Sequence, residues 1–338
     1  MIGPRRAGTP RALVLLAASL LVLAALVLGS LTVGVHPTPL ATAMAALWRP
    51  DPLDIAHIIV VTERLPRTVV ALVVGASLAV AGALMQALTR NPLASPGLMG
   101  VNSGAVFCIV LLVVALPAAP LSGYLWAAFA GAGVAGAASY FLGTLASRHD
   151  ARLGIVLAGA AVTALFASFT QAVLVIEQES LETVLFWLGG SVAGHRLADL
   201  PVVLLCVAAA LTAALLLARR VDLMAASDDV ARGLGQHVGR NRALVALVIV
   251  ALAASAVSIA GSIGFIGLIV PHMARRLMPR AHRWLIPGCA LLGAALLLGA
   301  DILARLLIAP REVPVGVMTA LIGVPLFIRL LRRPDRHD

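Results

Sequence analysis

The sequence contains no lysine: all 25 of its basic residues are arginine. A phosphate-binding loop of the GxxxxGK[ST] type needs a lysine to reach the β- and γ-phosphates, and Schiff-base chemistry needs one as well. Both are excluded, and nucleotide hydrolysis of the P-loop kind goes with them. Charge of either sign is scarce, at 12 % of 338 residues, against 61 % apolar. Soluble domains carry about 25 % charged and about 45–50 % apolar residues. So few charges cannot cover a water-facing surface, and the solvent implied is lipid. Cysteine is sparse too: Cys108, Cys206 and Cys289 each lie inside an apolar run. An odd set without CxxC spacing argues against disulfides or zinc and for plain packing.

What is present is a series of apolar runs, each near the roughly 20 residues needed to cross about 30 Å of hydrocarbon. Ten can be read, at 12–35, 65–88, 98–119, 121–146, 153–176, 200–218, 243–262, 263–278, 284–309 and 313–331. The eighth is short and is expected to be partial or re-entrant, with its ends buried in protein or lining a cavity. The first follows Arg5, Arg6 and Arg11 but exceeds the roughly 7–15 residues of a signal-peptide core, so it reads as an uncleaved span. The runs nearly use up the chain and leave a single transmembrane domain over 1–338. With both termini cytoplasmic, 19 of the 25 arginines fall on the inner side, as the positive-inside rule requires. Arg49, Arg64, Arg67, Arg196, Arg305 and Arg311 fall outside. The formal charge of +10 therefore reads as topology, not as a nucleic-acid surface. Two outer segments, 36–63 and 177–199, are longer than turns; Glu177, Glu179 and Glu182 before Val184 to Leu188 are expected to precede a short helix at the outer surface. The longest inner segment is 219–242.

Ionisable residues are nearly missing from the middle of the runs, where they would mark ion or proton pathways. Asp301 and Arg305, one helical turn apart near the outer end of the ninth run, are placed to pair. His272 follows Pro271 and reads as a structural hydrogen-bonding residue. No two of the eight histidines stand within four residues, so no helical two-His metal site is expected, and no metal or cofactor. Gly75-Ala76-Ser77-Leu78-Ala79 lacks the last glycine of a GxSxG nucleophile motif, which leaves an intramembrane hydrolase without support. With no relay in the lipid, the energy for moving a solute is expected to come from a partner, although passive channels lack relays as well.

Four stretches are more specific than generic spans. Arg64-Leu65-Pro66-Arg67 leads through Gly75, Gly82 and Gln86 into Asn91-Pro92-Leu93-Ala94-Ser95-Pro96 and Gly100-Val101-Asn102-Ser103. Asp228-Asp229-Val230-Ala231-Arg232-Gly233-Leu234-Gly235 lies in the long inner segment. Gly264-Phe265-Ile266-Gly267-Leu268-Ile269-Val270-Pro271-His272 occupies the short eighth run. Asp301 and Arg305 precede Glu312-Val313-Pro314-Val315-Gly316 and Gly323-Val324-Pro325. In this order and spacing, from about 60 to 330, the stretches resemble the permease subunits of ATP-binding-cassette importers for iron–siderophore, haem and cobalamin.

The resemblance implies an all-α integral membrane protein of about ten transmembrane helices with the cobalamin-permease-like fold of type II importers. It also implies a pair of permeases, either two copies or this chain with a homologue. Cytoplasmic ATPase subunits would bind inside and an extracytoplasmic substrate-binding protein outside, in a bacterial inner membrane. Arg64, Arg67 and Arg305 match positions that dock the binding protein; the alternative reading is interfacial arginines snorkelling to headgroups. Arg232, Leu234 and Gly235 match the ATPase-coupling element within 219–242, which otherwise reads as a solvated loop. Asn91 and Leu93 match a cytoplasmic gate, and their prolines and asparagine also suit a simple turn. The chain itself is expected to be no enzyme. A ferric siderophore is the expected cargo, with cobalamin and haem as alternatives. A secondary transporter and a membrane receptor are the rival classes.

Overall fold

A backbone in lipid has no water to bond to and must satisfy its polar groups within its own segment. Each of the ten apolar runs accordingly lies on a helix in this computed structural model, which describes residues 9–34, 36–116, 119–146, 151–176, 188–226, 233, 235–308 and 313–331. Helix α1 is Thr9–Thr32, followed by a short α2 at Leu40–Trp48 and α3 at Ile55–Ile59. A π turn over Val60–Arg64 carries α3 directly into α4, Leu65–Thr89. Then come α5 (Val101–Ala115), α6 (Leu121–Ala146), α7 (Ala151–Ile176), α8 (Pro201–Ala226), α9 (Val238–Ala260), α10 (Ile266–Leu277), α11 (His282–Leu307) and α12 (Val315–Leu331). No strand occurs among the described residues.

Among the described residues, seven helical stretches are long and apolar enough to cross a membrane. The helices on the third, eighth and tenth runs are shorter. The third run was expected to be helical from residue 98, but Pro96–Met99 forms a 3-10 turn and Gly100 takes a left-handed φ of 70°. Helix α5 therefore starts only at Val101 and has 15 residues, about 22 Å of rise. The eighth run is a partial element, as expected: α10 has 12 residues and starts after Phe265, whose φ is 67°. Helices α8 and α9 run past their apolar runs, to Ala226 and from Val238, because arginine is a good helix former wherever its head reaches water. The short outer helix expected around Val184 to Leu188 lies almost wholly outside the described residues.

Helix α4 is the hub and packs against α8, α9, α10 and α11. From Val74 to Thr89 nearly every one of its residues is buried. A second group joins α6 to α5, α7 and α9, and α1 lies along α11. Apolar side chains gain little by leaving lipid for protein, so close backbone approach has to supply the packing. Gly82 of α4 faces Gly267 of α10, and Gly75 of α4 faces Gly293 of α11, so close that a Cβ on either α4 glycine would run into the opposing carbonyl. Gly82→Val should force α4 and α10 apart and cost about 1–3 kcal/mol. Thermal unfolding of the detergent-solubilised protein measures it, and a melting curve equal to wild type would contradict the close approach.

Candidate functional site

Three polar clusters lie along the helix bundle. The first is at the end where α1 stops and α4 starts. The last carbonyls of a helix have no intrahelical partner, and two arginines supply the donors. Arg64 donates to the Leu31 carbonyl at 2.7 Å and to that of His36. Arg305 donates to the carbonyls of Ser30 at 3.0 Å and Val33 at 3.2 Å, and to Ser30 Oγ at 2.7 Å. Positive charge at a helix C-terminus also complements the macrodipole. Asp301, fully buried, binds both flanking arginines: Arg67 Nε reaches Oδ1 at 2.8 Å and Arg305 Nε reaches Oδ2 at 3.0 Å. The expected pairing of Asp301 with Arg305 is present, and it is one part of a larger network.

Sequence position had placed Arg64, Arg67 and Arg305 together on an aqueous face. They do come together, but Arg64 and Arg305 are buried, at 5 % and 3 % exposure. Their heads hold α1 to α4 and α11. Arg67 is half-buried, and all three arginines, with Glu63 and His36, line a cleft of about 180 Å³ at this end.

The second cluster lies where two interrupted segments meet. Asn102, in the first turn of α5, donates through Nδ2 to Ser262 Oγ at 3.0 Å, in the non-helical stretch before α10. Gly190, at φ 68°, packs on the Ser262 carbonyl, and the Ser191 amide donates to the Ala260 carbonyl at 3.0 Å. Asn102, Ser103, Thr170, Gln171 and Ser262 supply the polar lining of a cavity of about 220 Å³. Nearby His195 lies outside the spanning helices. Burial pushes its imidazole below the ordinary value, and a hydrogen bond to the Ile259 backbone and the charge of Asp199 only partly offset this.

The third cluster is at the opposite end of the bundle. Arg90, left-handed at φ 52°, closes α4 and donates through Nε to the Met224 carbonyl of α8 at 3.1 Å. Asn91 Oδ1 accepts from the Leu93 amide at 2.9 Å and the Ala94 amide reaches the Asn91 carbonyl at 3.1 Å, so the expected turn is present and leaves Leu93 exposed. Asp222 of α8 caps α11 by accepting from the His282 amide at 2.9 Å, and the His282 ring lies 2.5 Å from the same oxygen. Gln86 of α4 accepts from Arg275 of α10 at 2.5 Å. Of the residues expected to couple to an ATPase, Arg232 and Leu234 lie outside the described residues, and Gly235 stands just before α9 with φ 75°. The arrangement offers no nucleophile with a base beside it. Among the described residues no group of three metal-binding side chains occurs.

The pattern of the FecCD transport family matches residues 20–333. This chain belongs to that family. It is 49 % identical over 277 residues to the Bacillus subtilis (strain 168) protein named "Probable siderophore transport system permease protein YfiZ", covering 82 % of this chain and 83 % of that one. It is 38 % identical over 319 residues to the hemin transport system permease protein HmuU of Yersinia pestis, covering 93 % and 94 %. A solved structure described as "An inward-facing conformation of a putative metal-chelate type ABC transporter" superposes with a TM-score of 0.83 at 31 % identity, covering 94 % of this chain and 98 % of that one. The chain is thus a multi-pass membrane permease with the helical fold of type II importers, as its four motifs implied.

Proposed function

We propose that this FecCD permease imports a ferric siderophore across a bacterial plasma membrane, energised by ATP hydrolysis on a separate subunit. The observation that carries the reading is the match from residue 20 to 333, which includes the stretch around Gly235 where an ATPase would engage. The arginine-rich end with Arg90, Arg240 and Arg275 then faces the cytoplasm. A second permease, identical or homologous, completes the path, and the chain hydrolyses no ATP itself. An extracytoplasmic binding protein delivers the chelate at the Arg64 end. The cleft that Arg64, Arg67 and Arg305 line is the docking surface within its reach, and the contacts of Arg64 and Arg305 to the α1 end hold that surface in shape. Asn91 and Leu93 form the cytoplasmic gate, on the exposed turn after α4.

The cavity at Asn102 and Ser262, beyond the α9 end that lies opposite Arg240, gives this path a few polar groups with which a chelate can exchange hydrogen bonds without being held by charge. A proton-coupled carrier is the less favoured reading. Asp301 is the only buried carboxylate among the described residues, and two arginines lock it, so it is poorly suited to pass a proton.

The test is reconstitution in vesicles with ATPase and binding protein, measuring uptake of radiolabelled ferric siderophore. Uptake should require all three components. ATP turnover by the permease alone, or uptake without the ATPase, would overturn the reading.

A further inference from the structure

Helices α6 and α9 run antiparallel and leave an apolar groove of about 420 Å³ between them. Its floor is made of small residues, among them Gly133, Gly136 and Ala246. Gly136 allows the contact with Val250 that sets the depth, and a Cβ on Gly133 would meet nothing within 4 Å. Along α9 the lining extends from Ala243 to Ala254, about 16 Å at 1.5 Å per residue. One leaflet is half of the roughly 30 Å hydrocarbon core, or about 15 Å. The groove therefore starts at the Arg90 end of the bundle and stops near the bilayer midplane. It has the length of one lipid tail in one leaflet and falls short of a spanning helix.

Its mouth is not apolar. The first groove residue of α9, Ala243, directly follows Arg242, and Tyr140 lines the groove at the same level. Arg242 stands within electrostatic reach of the Tyr140 phenol. Beyond the mouth, Arg240, Arg242 and His237 line an open polar recess of about 750 Å³. Among the described residues, no Asp or Glu lines the recess or the groove. A cationic recess joined to an apolar slot one leaflet deep is complementary to a molecule with an anionic head and a long chain. Basic pockets of this kind between membrane helices hold acidic lipid headgroups.

We propose that the α6–α9 groove is a binding site for an anionic phospholipid of the leaflet at the Arg90 end, with one acyl chain in the groove and the phosphate against Arg240 and Arg242. The bound lipid braces the start of α9, three residues after Gly235, and so steadies the segment through which the proposed ATPase coupling passes. The lipid site itself stands independently of that coupling.

The full-length permease, purified in mild detergent, is incubated with dioleoyl phosphatidylglycerol or dioleoyl phosphatidylcholine and examined by native mass spectrometry. Wild type should retain the phosphatidylglycerol about thirtyfold better, the combined effect of two arginines near a membrane surface. Gly133→Leu places a side chain in open space within the slot and should abolish retention of both lipids. Arg240→Gln combined with Arg242→Gln, at the water boundary, should remove the preference for phosphatidylglycerol while phosphatidylcholine retention stays. Equal retention of the two lipids by wild type overturns the proposal, as does unchanged retention in both variants. A change in the number of protein chains per complex in Gly133→Leu also overturns it, because the groove would then be seating a helix of a second chain.

Discussion

Asp301→Asn should destabilise the permease by about 3–5 kcal/mol, the cost of breaking a buried ion pair by removing one partner. Asp301 is fully buried, and each of its carboxylate oxygens takes a guanidinium: Arg67 on Oδ1 at 2.8 Å and Arg305 on Oδ2 at 3.0 Å. An amide of the same shape offers one acceptor oxygen and no charge, and leaves two guanidiniums facing one another. Arg305 also ties the end of α1 through Ser30 and Val33, so the damage should spread to α1. Protease sensitivity near residue 36 should rise together with the fall in melting temperature. If the arginines served only to dock a partner, Asp301→Asn would lower binding-protein capture and leave the melting temperature unchanged; that result would refute the structural role.

The same network shows why the site was only partly legible in the sequence. Asp301 and Arg305 lie at i and i+4, and a helix brings such positions together whatever surrounds it. Arg64 and Arg305 could be placed at the outer end from topology but not assigned their burial, because most of their partners are backbone carbonyls of the α1 end. A carbonyl carries no residue identity and so no signal. Asn102 and Ser262 are 160 positions apart, and Ser262 in an apolar stretch looks like any tolerated serine. Helix ends behaved similarly. Apolar length marks where lipid begins and ends, whereas α8 and α9 continue through arginines that lipid would reject and water accepts. The start of α5 failed to follow its apolar run because Pro96 and a left-handed Gly100 override hydrophobicity locally.

Gly235→Val should lower ATP-driven import about tenfold, whereas Gly235→Asn should leave it nearly intact. Gly235 sits at φ 75°, three residues before the start of α9, and a Cβ there would meet nothing within 4 Å. Space is therefore no obstacle, and conformation is the constraint. A left-handed backbone costs an ordinary L-residue about 1–2 kcal/mol and a β-branched one more, whereas asparagine visits that region readily. Valine at 235 should swing the preceding chain, Arg232 and Leu234 included, out of the path that leads into α9. If this turn is the coupling element, a 1–2 kcal/mol bias against the competent shape lowers ATPase-subunit recovery about tenfold. The bundle is untouched, because α9 is anchored below the turn by Asn241, which accepts from Arg220 at 3.4 Å and donates to Gln236 at 2.7 Å. Pull-down of the ATPase subunit, with melting temperature as the folding control, separates the two effects. Equal recovery by wild type and Gly235→Val at an unchanged melting temperature would refute coupling through this turn. Equal loss in Gly235→Asn and Gly235→Val would refute the conformational argument, since only the absence of any side chain would then matter.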